Sequence, residues 1–203
     1  MCLMSGMQMQ MIARGYLVYE ITGSGALLGI VNGVGSLPVL GLALFGGAVA
    51  DRLDRKRVVQ GGQLVATAIA LFIAISITIG SVTWIHLLIA GMLQGAMWAF
   101  MMPARESLIP QLVGKQMTGN AVALSAAAMG TTTLIAPAIA GVLYAVIGPA
   151  WVYYIVSALA IMAVILTTSI PVHTDTGTHA KSPMMADIGA GLKYILQNRL
   201  ICD

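Results

Sequence analysis

Six long apolar stretches, separated by short polar breaks, run along the chain at about 3–21, 26–50, 58–79, 84–102, 120–147 and 150–170. A helix rises 1.5 Å per residue, so about 20 apolar residues cross a hydrocarbon core of about 30 Å. The six stretches therefore predict an all-α membrane protein with six transmembrane helices. The first stretch is the most compromised, being rich in methionine and interrupted by Gln8, Gln10 and Arg14. Beyond residue 170 the pattern changes. A polar linker at 171–184 is followed by an amphipathic segment at 185–203, where Ile188, Leu192, Ile195 and Leu196 fall near helical spacing. That segment is expected to lie on the membrane surface or to lead toward a further span.

Composition agrees with the pattern. Hydrophobic residues make up 59% and charged residues 8% of the 203, and the mean hydropathy is +0.92. A soluble domain carries roughly 45–50% apolar and about 25% charged residues. So few charges cannot cover a water-facing surface, and lipid becomes the expected surrounding. The net charge of +3 does not point to nucleic acid, because the basic residues sit between apolar spans and form no aromatic-laced patch. Cys2 and Cys202 lie near opposite ends, which suits neither a disulfide scaffold nor a zinc site.

The distribution of charge gives the topology. The breaks at 22–25, 80–83 and 148–149 carry no charge. The alternate breaks hold Arg52, Arg55, Lys56 and Arg57, then Arg105 and Lys115, then Lys181, Lys193 and Arg199. Nine of the ten basic residues thus fall on one side, with Arg14 inside the first span. Basic residues in short loops mark the cytoplasm, so both termini are expected there, in a multi-pass cell-membrane protein. Small residues recur every four positions at Gly25, Gly29 and Gly33 and at Gly91 and Gly95, a spacing that lets helices approach closely in lipid.

The break between the second and third spans reads Gly46-Gly47-Ala48-Val49-Ala50-Asp51-Arg52-Leu53-Asp54-Arg55-Lys56-Arg57. It resembles the signature loop of the major facilitator superfamily, with Asp54 where a second glycine is usual. The stretches at 13–24, 103–113 and 119–124 are similar to the branch of enterobactin and macrolide exporters. The resemblance implies that the six helices form the amino-terminal half of that fold, built from two three-helix repeats. It implies a gating role for Gly47, Asp51, Arg52, Arg55, Lys56 and Arg105. There, Asp51 could be held by Arg55 or Arg105 and face a helix of the other half. It also implies that the first and fourth helices line a central cavity.

Polar groups inside a span are expensive and mark candidate pathways. Arg14, Asn32, Gln94 and Trp98 are the candidates, with Gln10 one turn before Arg14 on the same face. Glu20 sits near the outer mouth. Methionines 7, 9, 11, 92, 97 and 101 could form an adaptable wall or simply face lipid. Pro137 and Gly141 lie in a stretch similar to an antiporter bend motif, in which two of the motif's glycines are alanine here. The family's fourth-helix motif carries an arginine where this chain has Gly91, so proton coupling through that group does not carry over.

No Ser/His pair, paired aspartates or metal helix lies within the spans, so an enzyme is not expected, nor a cofactor. His173, Asp175 and His179 in the linker read as a solvated run and not as metal ligands. The expected function is secondary active efflux of small molecules (drug, macrolide or siderophore-like) by alternating access, proton-coupled. The alternative is a self-assembling six-helix channel or scaffold. The expected partners are membrane lipid, a small-molecule substrate, and a carboxy-terminal six-helix half or a second copy, since one half offers one wall of a cavity.

Overall fold

The computed structural model describes residues 2–52, 54–113 and 117–169, without the side chains of 43–52, 55 and 109–113. The linker and amphipathic segment after residue 169 lie outside the described residues, as does Lys115. Six helices follow one another: α1 (Cys2–Thr22), α2 (Gly25–Arg52), α3 (Arg55–Thr78), α4 (Trp84–Val113), α5 (Thr118–Ile147) and α6 (Pro149–Thr168). Helix α4 does not stop near residue 102, as the hydropathy suggests. It continues to Val113, so Arg105 stands on a helix and not in a loop. Thirty residues span about 45 Å, which exceeds the hydrocarbon core and carries that end into the polar layer.

Helices α2 to α6 are each long and apolar enough to cross a membrane. Helix α1 falls short of that mark, and its polar residues explain why. Gln10 and Arg14 are buried within the bundle, not spread over its outside. At one end of the bundle, the turns at Gly23, Gly80 and Gly148 each adopt positive φ, at 62°, 77° and 85°. A glycine there reverses the chain without a Cβ penalty. Pro149 then opens α6 directly, where its missing N–H costs nothing.

The packing repeats itself. Helix α1 packs on α5 and α6, and α4 packs on α2 and α3, while α3 meets α6 and α1 crosses α4. Exchanging α1–α3 with α4–α6 leaves this pattern of neighbours unchanged, as two three-helix repeats require. One core joins Ala13, Leu17 and Val18 of α1 to Ile73 of α3, Leu87 of α4 and Tyr153 of α6. A second, at the other end, joins Leu3, Val59, Met97, Met101 and Ala160. A third holds Met9 against Ala136 and Ala140 of α5. These two alanines stand beside Pro137 and let α1 come close. Hydroxyls within the spans close back on their own helix, as Ser76 does on the Phe72 carbonyl and Thr132 on that of Ala128. That satisfies a donor that lipid cannot.

The expected glycine stripe on α2 is not the packing face. A Cβ on Gly25, Gly29 or Gly33 would meet nothing within 4 Å. The close crossing of α2 and α4 is made by Gly35, Gly91 and Gly95 instead: a Cβ on Gly95 would overlap the Gly35 carbonyl oxygen. Backbone, unlike a flexible side chain, cannot move aside cheaply. Gly95→Ala is therefore expected to destabilise the bundle by about 1–3 kcal/mol, whereas Gly33→Ala should cost nothing measurable. Thermal unfolding of the purified variants checks this, and equal midpoints for the two would contradict it.

Candidate functional site

The site is built where α1 crosses α4. Arg14 lies on α1, near its middle, and its guanidinium cannot face lipid without a cost of roughly 2.5–3.5 kcal/mol. It turns inward and is 9% exposed. Its Nη1 donates to Gln94 Oε1 on α4 at 3.3 Å. Gln94 Nε2 in turn donates to Gln10 Oε1, back on α1, at 2.9 Å. The three side chains form a polar relay across the crossing, almost wholly removed from water. Arg14 Nε is buried without a hydrogen-bond partner, and so is Asn32 Oδ1 on α2.

Gly91 makes room for this arrangement. A Cβ there would sit 2.8 Å from Arg14 Nη1. The guanidinium from α1 therefore lies over the very position where the superfamily's fourth helix resembles this chain but carries an arginine. Cation and helix have changed places relative to the expectation from Gly91 alone.

The relay opens on a cavity of about 260 Å³ walled by four helices. Helix α1 contributes Met7, Gln8, Met11 and Arg14, and α4 contributes Gln94 and Trp98. Asn32 and Ser36 enter from α2, and Met129, Thr132 and Thr133 from α5. The structure thus brings all four expected pathway residues, Arg14, Asn32, Gln94 and Trp98, to one cavity. The methionines divide by role. Met7 and Met11 line the cavity, Met9, Met97 and Met101 pack in the cores, and Met92 is exposed. Met4, Met129, Ser36 and the Thr132–Thr133 pair were not singled out by sequence reasoning. The polar triplet Thr131–Thr133 inside an apolar span, and Ser36 one turn beyond Asn32, were the signals that could have found them.

The expected gating residues are placed only in part. The side chains of Gly47, Asp51, Arg52 and Arg55 lie outside the described residues, although the backbone puts Asp51 on the last turn of α2. Asp54, standing where the signature has glycine, caps α3 by accepting from the Lys56 backbone N–H at 3.0 Å. Lys56 Nζ donates to the Thr168 carbonyl at the end of α6. Gln63 donates to Thr167 at 2.9 Å, so the start of α3 is tied to α6. Arg105 Nη2 reaches Ser125 Oγ of α5 at 3.5 Å. Of the bend motif, Pro137 lies inside α5, which remains one helix, and α2 carries the matching interior Pro38. A Cβ on Gly141 would meet nothing. At the glycine-turn end, Tyr144 donates to Glu20, joining α5 to α1.

Comparison with known proteins places this geometry. The family described as transmembrane secretion effectors matches residues 2–201. The chain belongs to that family of the major facilitator superfamily. The Staphyloferrin A transporter of Staphylococcus aureus (strain NCTC 8325 / PS 47) is 34% identical over 122 residues, covering 59% of this chain and 30% of that protein. Macrolide efflux protein A of Streptococcus pyogenes is 28% identical over 142 residues, covering 68% of this chain and 34% of that protein. The chain spans about a third of the length of these curated relatives. The six helices, their apolar character and the family make it a multi-pass membrane protein with the fold of the superfamily's amino-terminal half.

Gly91→Ala is expected to push the guanidinium off Gln94 and to leave the helix crossing intact, because only a flexible side-chain tip must move. The variant should keep its thermal midpoint within a few degrees while losing ligand binding or transport. A variant with unchanged transport would contradict the importance of the Arg14–Gln94 contact.

Proposed function

We propose that this chain forms one wall of an exporter that moves small molecules across the cell membrane by alternating access. The observation that carries the reading is the cavity itself. Charged and amide groups are gathered in mid-membrane on α1 and α4, and the cavity continues onto α2 and α5, the helices that bury least of their length. Large apolar side chains such as Leu37 and Leu40 on α2 and Leu134 and Val142 on α5 stand exposed. A carboxy-terminal six-helix half, or a second copy, would close the cavity from that side, as secondary transporters built from repeats hold their site between halves. Membrane lipid covers the remaining apolar surface.

The efflux-type relatives support export of a drug, macrolide or siderophore-like compound, and proton coupling is the proposed drive. The nine basic residues on one side of the sequence pattern support a cytoplasmic position for both termini. There Asp51, with Gly47, Arg52, Arg55, Lys56 and Arg105, would act as the latch between halves. Lys56 and Arg105 support this by bracing α3 to α6 and α4 to α5 beside it. Pro137 and Gly141 would supply the bend in α5.

Everted membrane vesicles holding the intact protein test the reading with labelled erythromycin, ethidium and a ferric hydroxamate. Uptake of at least one should saturate and should fall when a proton uncoupler is added. Asp51→Asn should lower that uptake while the protein inserts at normal levels. Uptake that rises linearly with concentration would indicate a channel, uncoupler-insensitive uptake would remove proton coupling, and full activity in Asp51→Asn would remove the latch.

A further inference from the structure

Among the described residues Arg14 is a cation without a counter-ion. The geometry points to this cavity as a site for an organic anion, specifically a carboxylate that also carries a hydrogen-bond donor. The inference rests on the export reading and deepens it by naming the class of compound carried. Among the described residues the guanidinium makes one hydrogen bond, to the neutral Gln94 amide, and its Nε is buried with no partner. No carboxylate lines the cavity among the described residues. The carboxylate of α1, Glu20, is engaged by Tyr144 two turns further on, toward the glycine-turn end.

The relay fixes the polarity of the site. Gln94 presents its oxygen to Arg14 because its nitrogen is committed to Gln10. The amides therefore orient the guanidinium and leave its charge uncancelled. A bare positive charge in a poorly solvated site attracts an anion strongly and repels a cation. The guanidinium fork matches a carboxylate in shape as well as charge. The second unsatisfied group, Asn32 Oδ1, is an acceptor on α2 that lines the same cavity. A ligand that offers an O–H or N–H as well as a carboxylate carries a partner for each. The remaining wall, Met7, Met11, Met129 and Trp98, suits an apolar or aromatic body on the same molecule.

The test uses the intact protein in everted vesicles and two matched series. Dansylglycine and dansylphenylalanine each carry a carboxylate next to a sulfonamide N–H, and their carboxamides are the same molecules without the charge. Ethidium is the cationic control, and rates are taken relative to vesicles lacking the protein. The wild type should move the acids about tenfold faster than the amides or more. Arg14→Gln should bring that ratio close to one, and Arg14→Lys should restore part of it. A wild-type ratio near or below one overturns the inference even if no Arg14 variant folds. So does an Arg14→Gln variant that keeps the ratio. An Arg14→Gln variant that loses acids and amides alike, with Arg14→Lys restoring both equally, indicates that the cation pairs with a protein carboxylate and does not select the ligand, and this also overturns it. If ethidium or an amide moves and no acid does, export stands and the anion site falls. If nothing moves, both fall.

Discussion

A guanidinium in the middle of a membrane-spanning helix constrains everything around it. Lipid offers Arg14 no partner, so α1 must turn that face inward, against α4. Facing inward, the side chain needs space and an acceptor. Gly91 gives the space and Gln94 the acceptor, and Gln10 holds Gln94 in the orientation that serves. The same requirement fixes the neighbouring packing. On α4, Gly91 leaves room for Arg14 and also faces Gly35 of α2, and Gly95 admits the Gly35 carbonyl. Four helices then wall the cavity beside the charge, and no carboxylate lines it among the described residues.

Two pairs of helices, each drawn from both repeats, flank this centre differently. Helix α3 packs on α6 and α4, α6 packs on α3 and α1, and Lys56, Gln60 and Gln63 fasten the pair at the charged end. Helices α2 and α5 touch both central helices, α2 chiefly α4 and α5 chiefly α1, and leave a long apolar face open. Each also carries an interior proline, which removes one backbone bond and eases bending. The α3–α6 side of the bundle is closed by helix packing, and the α2–α5 side is the one left open.

Much of this was legible in the sequence because lipid makes the rules severe. Six apolar spans and alternating charge gave the helices to within a few residues at most ends. Arg14, Asn32, Gln94 and Trp98 stood out because a polar group in a span must have a reason, and they meet at one cavity. What was not legible depends on helix rotation. Gly33 and Gly35 lie two residues apart on the same helix, yet one faces open space and the other the α4 backbone. Spacing alone cannot tell which stripe is the interface. The end of α4 was missed for a different reason: hydropathy falls where a helix leaves the hydrocarbon, although its hydrogen bonds continue. Gly91 looked like the loss of a charge, and only the fold shows that charge arriving from another helix.

The account depends on the α1–α4 crossing facing an aqueous pathway and not lipid or a sealed core. The most direct measurement replaces Cys2 and Cys202, then places single cysteines at Met11, Asn32 and Thr133 in the cavity and at Ile161 on the exposed face of α6. A membrane-impermeant thiol reagent is applied to intact cells and to everted vesicles holding the intact protein. Modification at the three cavity positions from at least one side of the membrane, with Ile161 inert from both, is the predicted result. Cavity cysteines as unreactive as Ile161 from both sides would contradict it.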